Sequence, residues 1–203
     1  MLLVGLSGNI GSGKTTLARI FREWGVPVYY ADEAGRMILR QAEVREKIER
    51  LFGEEVMEAG GQVDRKKLAE MVFSSHTRLK QLNDLIHPLV RKDFKSWADS
   101  REDAPYVIQE AAILFESGQH VHFDRIIFVS APEDLRMERV MKRDGISRAE
   151  VEQRAQHQLD EKQKIMAADY VVVNDGHRPL LPQALAIHRQ ILGQWETQGK
   201  NRG

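Results

Sequence analysis

The chain contains no cysteine. That excludes disulfides and cysteine–zinc sites, and it fits a reducing compartment, so a cytoplasmic location is expected. No apolar run approaches the roughly 20 residues that a membrane-spanning helix needs. Net charge is lacking as well: Lys+Arg and Asp+Glu each number 30, and the formal charge is zero. A protein that grips nucleic acid or a membrane surface through its overall field needs a basic excess, so neither partner is expected. Basic residues must act locally if they act at all. The N-terminus has no basic region, and its short apolar run, residues 1–6, is expected to be a strand rather than a signal peptide. No repeat or low-complexity segment interrupts the sequence. The polar stretch from Gln194 to Gly203 is expected to fray.

What is present fits one α/β domain with a helical insertion: 203 residues, 42% hydrophobic, enough for a sizeable core. The organising stretch is Gly8-Asn9-Ile10-Gly11-Ser12-Gly13-Lys14-Thr15-Thr16. It matches G-x-x-x-x-G-K-[ST], and it lies between an apolar run of strand length and a helical pattern in which Leu17, Ile20, Phe21 and Trp24 share a face. Successive backbone N–H groups of such a loop wrap a polyphosphate, because Gly8, Gly11 and Gly13 allow backbone angles and approaches that a Cβ would block. The helix that follows turns its free N–H groups to the same anion. Lys14 is expected to neutralise the β- and γ-phosphates and the Thr15 hydroxyl to ligate Mg²⁺.

A second strand is expected over Val26–Tyr30, closing at Ala31-Asp32. Ligands collect at the carboxyl ends of strands in open parallel sheets. Asp32 is thus either a reactive carboxylate or the N-cap of the next helix, and both roles can hold together. Residues 33–98 read as helical throughout. Gly60-Gly61 marks a turn, Asp64 an N-cap, and His87-Pro88 the break between two helices, with Pro88 at the first position of the second. His87 before a proline suits a structural role as well as a site. A third strand over Tyr106–Gln109 ends at Glu110, where P-loop proteins place a carboxylate that organises Mg²⁺. The fourth strand is Ile126–Ser130. A helix from Glu133 then carries Arg136, Arg139 and Arg143 on one face, a stripe expected to meet phosphate. Ser147-Arg148-Ala149-Glu150 is a capping box opening a further helix with Arg154, Gln158 and Lys162, and the pair resembles a lid. Ala168–Asn174 is the fifth strand and Leu180–Trp195 the last helix. His120 and His122 alternate in a polar loop without a third ligand, and no metal site is expected there.

These residues resemble one family, the dephospho-coenzyme A kinases. The resemblance runs through the loop at 8–16; Ala31-Asp32 with Ala34 and Arg36; Leu82-Asn83 with Ile86-His87-Pro88-Leu89; Ile113-Leu114-Phe115-Glu116; Arg139 to Arg143-Asp144; and Ala168-Asp169 through Asn174. The loop is widely shared, whereas the Asp32 motif and the His87-Pro88 block are more specific. The resemblance implies a P-loop kinase fold: a five-stranded parallel sheet flanked by helices, with a helical acceptor-binding insertion and a lid. Residues 1–32, 99–133 and 167–203 would form the nucleotide-binding core, 33–98 the acceptor domain and 134–166 the lid. It implies transfer of the ATP γ-phosphate to the ribose 3′-hydroxyl of dephospho-coenzyme A. Asp32 would be the base, with Lys14 and Arg143 beside it in catalysis. Residues 8, 9 and 11–16 with Arg139 and Arg143 would hold the nucleotide; Asp32, Arg36, His87 and Glu110 the acceptor; Thr15 and Glu110 the metal. Two departures stand out. Tyr30-Ala31-Asp32 replaces the family's frequent Asp-Ala-Asp, and Glu110-Ala111-Ala112 replaces a frequent Asp-Ile-Pro. Another small-molecule kinase, acting on nucleoside monophosphates or shikimate-like alcohols, shares every core feature but not the His87-Pro88 block. A nucleotide-dependent switch lacks support, because no guanine-reading N-K-x-D motif occurs. Oligomeric state is not readable from the sequence.

Overall fold

The structure, a computed structural model, describes residues 1–156 and 158–200. The chain divides into two compact units, Met1–Tyr30 with Arg101–Gly203, and Ala31–Ser100.

The first unit is built on one parallel sheet. Its strands are β1 (Leu2–Gly8), β2 (Val28–Tyr30), β3 (Tyr106–Glu110), β4 (Arg125–Ser130) and β5 (Tyr170–Val173), in the order β2-β3-β1-β4-β5. Parallel strands covered on both faces read as unbroken apolar runs, and β3 is buried at every position. The register sets Leu6 opposite Glu110, Gly8 opposite Val129, and Tyr30 opposite Glu110. The central strand therefore feeds the phosphate loop between the ends of β3 and β4. Helix α1 (Lys14–Glu23) turns Leu17, Ala18 and Phe21 inward against Val4, Leu6 and Ile108. The second expected strand is shorter than its β-branched run, although Pro27 O still accepts from Ile108 N at 2.9 Å.

In the second unit, α2 (Ala31–Ile38) is followed by α3 (Ala42–Phe52), α4 (Arg65–Phe73) and α5 (His76–Asp99). Asp64 caps α4, its Oδ1 accepting from Lys66 N at 3.0 Å and Lys67 N at 3.1 Å. The break expected at His87-Pro88 does not occur: α5 runs through Pro88. The proline removes one N–H and crowds the preceding turn. The helix continues because Val90, Phe94 and Ala98 repeat at a spacing of four and bury one stripe. His87 therefore sits mid-helix, and burial pulls its pKa below 6.5 against the opposing effect of Asp84.

Back in the first unit, α6 (Glu133–Asp144) ends at Gly145 in the left-handed region, φ 67°. Helix α7 (Arg148–Ala155) opens on the expected capping box. It stops earlier than its sequence suggested, and Asp160 starts a separate α8 (Glu161–Ala167). Met137, Val140 and Val151 pack these helices together with Ile10 of the phosphate loop. Helix α9 (Leu180–Lys200) extends past the expected fraying point. Gln194 explains much of this: it accepts from Arg125 Nε at 2.8 Å and donates to the Tyr170 hydroxyl at 3.0 Å. The last three residues of that stretch, 201–203, lie outside the described residues. Among the described residues no helix is long and apolar enough to cross a membrane.

The base of this core holds a titratable pair. Tyr106, 1% exposed, has its hydroxyl 2.6 Å from His188 Nδ1. Burial raises the phenol's pKa, so the hydroxyl stays protonated. Burial lowers that of His188 below 6.5. A histidine depressed in the folded state contributes stability that is present above its unfolded pKa and lost as pH falls through the folded one. The melting temperature is expected to fall between about pH 7.5 and about pH 5.5, and less steeply in His188→Gln, which keeps a hydrogen-bond partner for Tyr106. Parallel profiles for the two proteins would contradict this.

Candidate active site

The loop leaves β1 at Gly8 and enters α1 through Gly13, which is left-handed at φ 95°. A Cβ on Gly13 would strike the Asn174 side chain, and one on Gly11, at φ 77°, would strike the Arg136 carbonyl. Neither position accepts another residue without shifting a neighbour. Gly13 offers α1 no side-chain cap, and the first turn carries no acidic residue. The free N–H groups and positive dipole end are thus left for an external anion. Ser12 N already bonds Asn9 O at 3.0 Å, which closes the loop on itself.

Lys14, the first residue of α1, places Nζ 3.8 Å from Glu110 Oε1. Register produces this pairing: Glu110 ends β3 beside Leu6, and the chain returns over it through the loop. The distance exceeds that of a charge-assisted hydrogen bond, about 2.7–2.9 Å, so the ammonium is held near the carboxylate without being locked to it. Thr15 and Thr16 are exposed on the same turn. Among the described residues, no group of three or more His, Asp or Glu side chains can hold a metal alone. The Thr15 hydroxyl and Glu110 carboxylate are hard oxygen donors of the kind Mg²⁺ takes when waters and substrate phosphates complete its shell, so the residues fit that ion.

The arginine stripe of α6 divides three ways. Arg136 is buried, its Nε 3.0 Å from Ala131 O and its Nη2 3.6 Å from Glu161 Oε2. It works inside the fold. Arg139 reaches the loop, with Nη1 3.5 Å from Gly11 O and Nη2 3.2 Å from Asn174 O. Arg143 is exposed and forks onto Asp144, Nε to Oδ1 at 2.7 Å and Nη2 to Oδ2 at 3.0 Å. That hydrogen bond holds the Asp144 carboxyl below its usual range.

Three side chains given no site role by the sequence support the loop: Asn174 and Gln158, placed there only within a strand and a helix, and Lys164. Asn174 Nδ2 donates to Ser12 O at 2.7 Å. Its place one residue beyond β5 could have pointed to it. Gln158 bridges, accepting from Ile10 N at 2.8 Å and donating to Ala112 O at 3.2 Å. Lys164 is 1% exposed, donates to Asn9 Oδ1 at 2.7 Å and pairs with Glu116. The Asn9 side chain is therefore turned into the fold, where it also donates to Glu161. No periodicity pairs a lysine near one end of the chain with a glutamate and an asparagine far upstream, so this network has no sequence signal.

Removing one partner of a buried ion pair leaves the other charge uncompensated, at a cost of about 3–5 kcal/mol. Lys164→Met is accordingly expected to lower the melting temperature by roughly 10 °C. Adding Glu116→Leu should recover part of that loss, because the stranded carboxylate is gone. An unchanged melt in the single variant would show that the pair contributes nothing.

Asp32, Arg36 and His87 belong to the second unit. Asp32 lies in the first turn of α2, exposed, with Arg36 one turn further along the same face. It follows Tyr30 by two residues, and Tyr30 is the register partner of Glu110. His87 projects from α5, which packs against α2. The structure thus gathers Lys14, Thr15, Glu110 and Arg139 at the loop, sets Arg143 against Asp144, and carries Asp32, Arg36 and His87 on the helical unit.

A family model for dephospho-CoA kinase matches residues 2–179. A dephospho-CoA kinase of Thermus thermophilus is 40% identical over 193 residues, 95% of this chain and 93% of that protein. One of Bacteroides fragilis is 38% identical over 185 residues, 91% of this chain and 90% of that protein. A crystal structure of a Thermus thermophilus protein matches with a TM-score of 0.82 at 36% identity, covering 95% of this chain and 97% of its own. The chain belongs to the dephospho-CoA kinase family.

Proposed function

We propose that this protein transfers the γ-phosphoryl group of ATP to the ribose 3′-hydroxyl of dephospho-coenzyme A, giving coenzyme A and ADP, the last step of coenzyme A synthesis. The observation that carries the reading is the uncapped N-terminus of α1 with the Lys14 ammonium beside it. That arrangement suits the β- and γ-phosphates, and the family supplies the acceptor. The first unit serves as the nucleotide core, with 134–166 its lid, and the second, Ala31–Ser100, as the acceptor domain, which moves the expected boundaries at 32/33 and 98/99 by two residues.

Phosphoryl transfer is mostly positioning and charge neutralisation. The loop N–H groups and Lys14 hold the phosphates, with Arg139 beside them. Asp32 accepts the proton of the attacking hydroxyl as its oxygen bonds to the γ-phosphorus and the bond to the β,γ-bridging oxygen breaks. ADP leaves carrying that oxygen. Arg36 and His87 contact the acceptor. Thr15 and Glu110 hold Mg²⁺, which neutralises charge on the phosphates when bound. The deciding assay is ADP release with a panel of acceptors. Turnover is expected with dephospho-coenzyme A and little with AMP, CMP or shikimate. Comparable turnover on AMP would leave only the P-loop kinase class.

Arg143 is assigned to the transition state. To serve there it must leave Asp144 and turn to the phosphates as the lid closes. A cation met mainly in the transition state affects rate more than ground-state binding. Arg143→Ala is expected to lower kcat by about 10² or more, with a smaller change in the KM for ATP. A raised KM with unchanged kcat would make Arg143 a substrate-binding residue only.

A further inference from the structure

Within the helical unit, a pocket of about 460 Å³ is lined by Arg36, Arg40 and Arg65 together with Leu39, Glu58, Gln62 and Val63. We infer that this pocket is a subsite for a diphosphate diester, and that in the proposed reaction it holds the diphosphate linking the two halves of the acceptor. This rests on the acceptor reading above.

Two of the three arginines, Arg40 and Arg65, sit where local rules do not favour them. Arg36 suits the C-terminal turn of α2. Arg40 follows one turn later, because Leu39 N still bonds Gly35 O at 3.1 Å, so two like charges lie at i and i+4. Such pairs are destabilising. Arg65 is the first residue of α4, at the positive end of the helix dipole, in a first turn with no acidic residue. Asp64 beside it does not neutralise it, because its carboxylate caps Lys66 N and Lys67 N. Among the described residues, none of the three guanidiniums has a carboxylate partner, and Arg40 makes only a long contact with Met37 Sδ at 3.8 Å. Local rules broken at one place without an internal partner mark functional sites.

The segment that contributes Glu58, Gln62 and Val63 to the lining is held in place by its own bonds. Met57 and Val63 form an antiparallel bridge. Glu58 N bonds Gln62 O at 2.7 Å, and Arg45 Nη1 bonds Gly61 O at 2.9 Å. Three guanidiniums against the single carboxylate of Glu58 leave an excess of two positive charges. A diphosphate diester carries two negative charges, one on each phosphoryl group. Planar guanidinium forks match phosphoryl oxygens in pairs, which an ammonium does not. The volume falls within the range of small-ligand sites.

The test is calorimetric binding of dephospho-coenzyme A to the wild-type chain and to Arg40→Gln, Arg65→Gln and Arg65→Lys. A Lys66→Gln/Lys67→Gln control removes two nearby charges outside the pocket. A nonhydrolysable ATP analogue fills the phosphate loop throughout. Loss of a hydrogen-bonded charge contact weakens binding by about tenfold to a hundredfold. That loss is expected in both glutamine variants, with partial recovery in Arg65→Lys, no loss in the control, and unchanged affinity for the ATP analogue. In turnover, KM for the acceptor should rise with kcat within a few-fold of wild type. Unchanged acceptor affinity in folded Arg40→Gln and Arg65→Gln would overturn the subsite, and so would an equal loss in the control. If wild type neither binds nor phosphorylates dephospho-coenzyme A, the acceptor reading falls instead. Inorganic pyrophosphate then becomes the probe. Binding abolished by Arg65→Gln supports the anion site, and no binding removes it.

Discussion

Lys14→Met is expected to reduce phosphoryl transfer by about 10³ or more while the protein still folds. The size follows from what the ammonium is set against. The N-terminus of α1 offers only backbone dipoles, so Lys14 is the full positive charge that the helix itself supplies there. The Lys14 side chain is 14% exposed, with Nζ 3.8 Å from Glu110 Oε1, too far to be consumed by that carboxylate. The substitution has a structural side, since Glu110 is 5% exposed and loses a cation nearby. A lower melting temperature is therefore expected with the loss of activity, and the two must be separated. Lys14→Met with Glu110→Gln removes the stranded charge. It should recover melting without recovering transfer. Steady-state ADP release beside a thermal melt reads both. Near-normal transfer in the folded single variant would rule out the phosphate role, and recovery of transfer in the double variant would show that the lysine acts only by offsetting Glu110.

The sheet was readable because its signals are local. Four apolar runs of strand length and the glycine loop predicted β1, β3, β4 and β5 to within a few residues, and the loop motif fixed where α1 begins. Local signals failed where tertiary packing decided. Pro88 is a strong helix breaker in sequence, yet Val90, Phe94 and Ala98 carry α5 through it. Gln194 opens a polar stretch, yet its bonds to Arg125 and Tyr170 fix it against β4 and β5. The arginine stripe shows a finer limit. Spacing of three and four predicts a shared face but not the partner, and α6 sends Arg136 to Glu161, Arg139 to Asn174 and Arg143 to Asp144. The support beneath the loop was unreadable for the same reason. Lys164 meets Asn9 across 155 positions of the chain, a separation at which no pattern survives.

Asp32→Asn is expected to lower kcat by about 10²–10⁴ with folding and nucleotide binding intact, the usual span for a general base. A ribose hydroxyl is a poor nucleophile near neutral pH, so a carboxylate within hydrogen-bond reach both aligns it and takes its proton. Asp32 stands in the first turn of α2 and is exposed, so its carboxylate remains available to an acceptor. It follows closely on Tyr30, which pairs in register with Glu110 at the end of the neighbouring strand. The family's frequent second carboxylate is replaced here by Tyr30, which leaves Asp32 as the acid of that motif. Asparagine keeps the size and hydrogen-bonding shape but cannot take a proton, which separates chemistry from structure. An acidic residue in a first turn also favours the helix dipole by about 0.3–1 kcal/mol, so a small drop in melting temperature accompanies the change. Transfer to an alcohol has a loose transition state with little demand for early deprotonation, which places the loss toward the lower end of the span. Single-turnover transfer and acceptor affinity, measured on one preparation, decide the role. Transfer within a few-fold of wild type would make Asp32 a helix-end residue and not the base. Lost acceptor binding with a preserved maximal rate would make it a recognition residue, and Glu110 would then be the carboxylate to test.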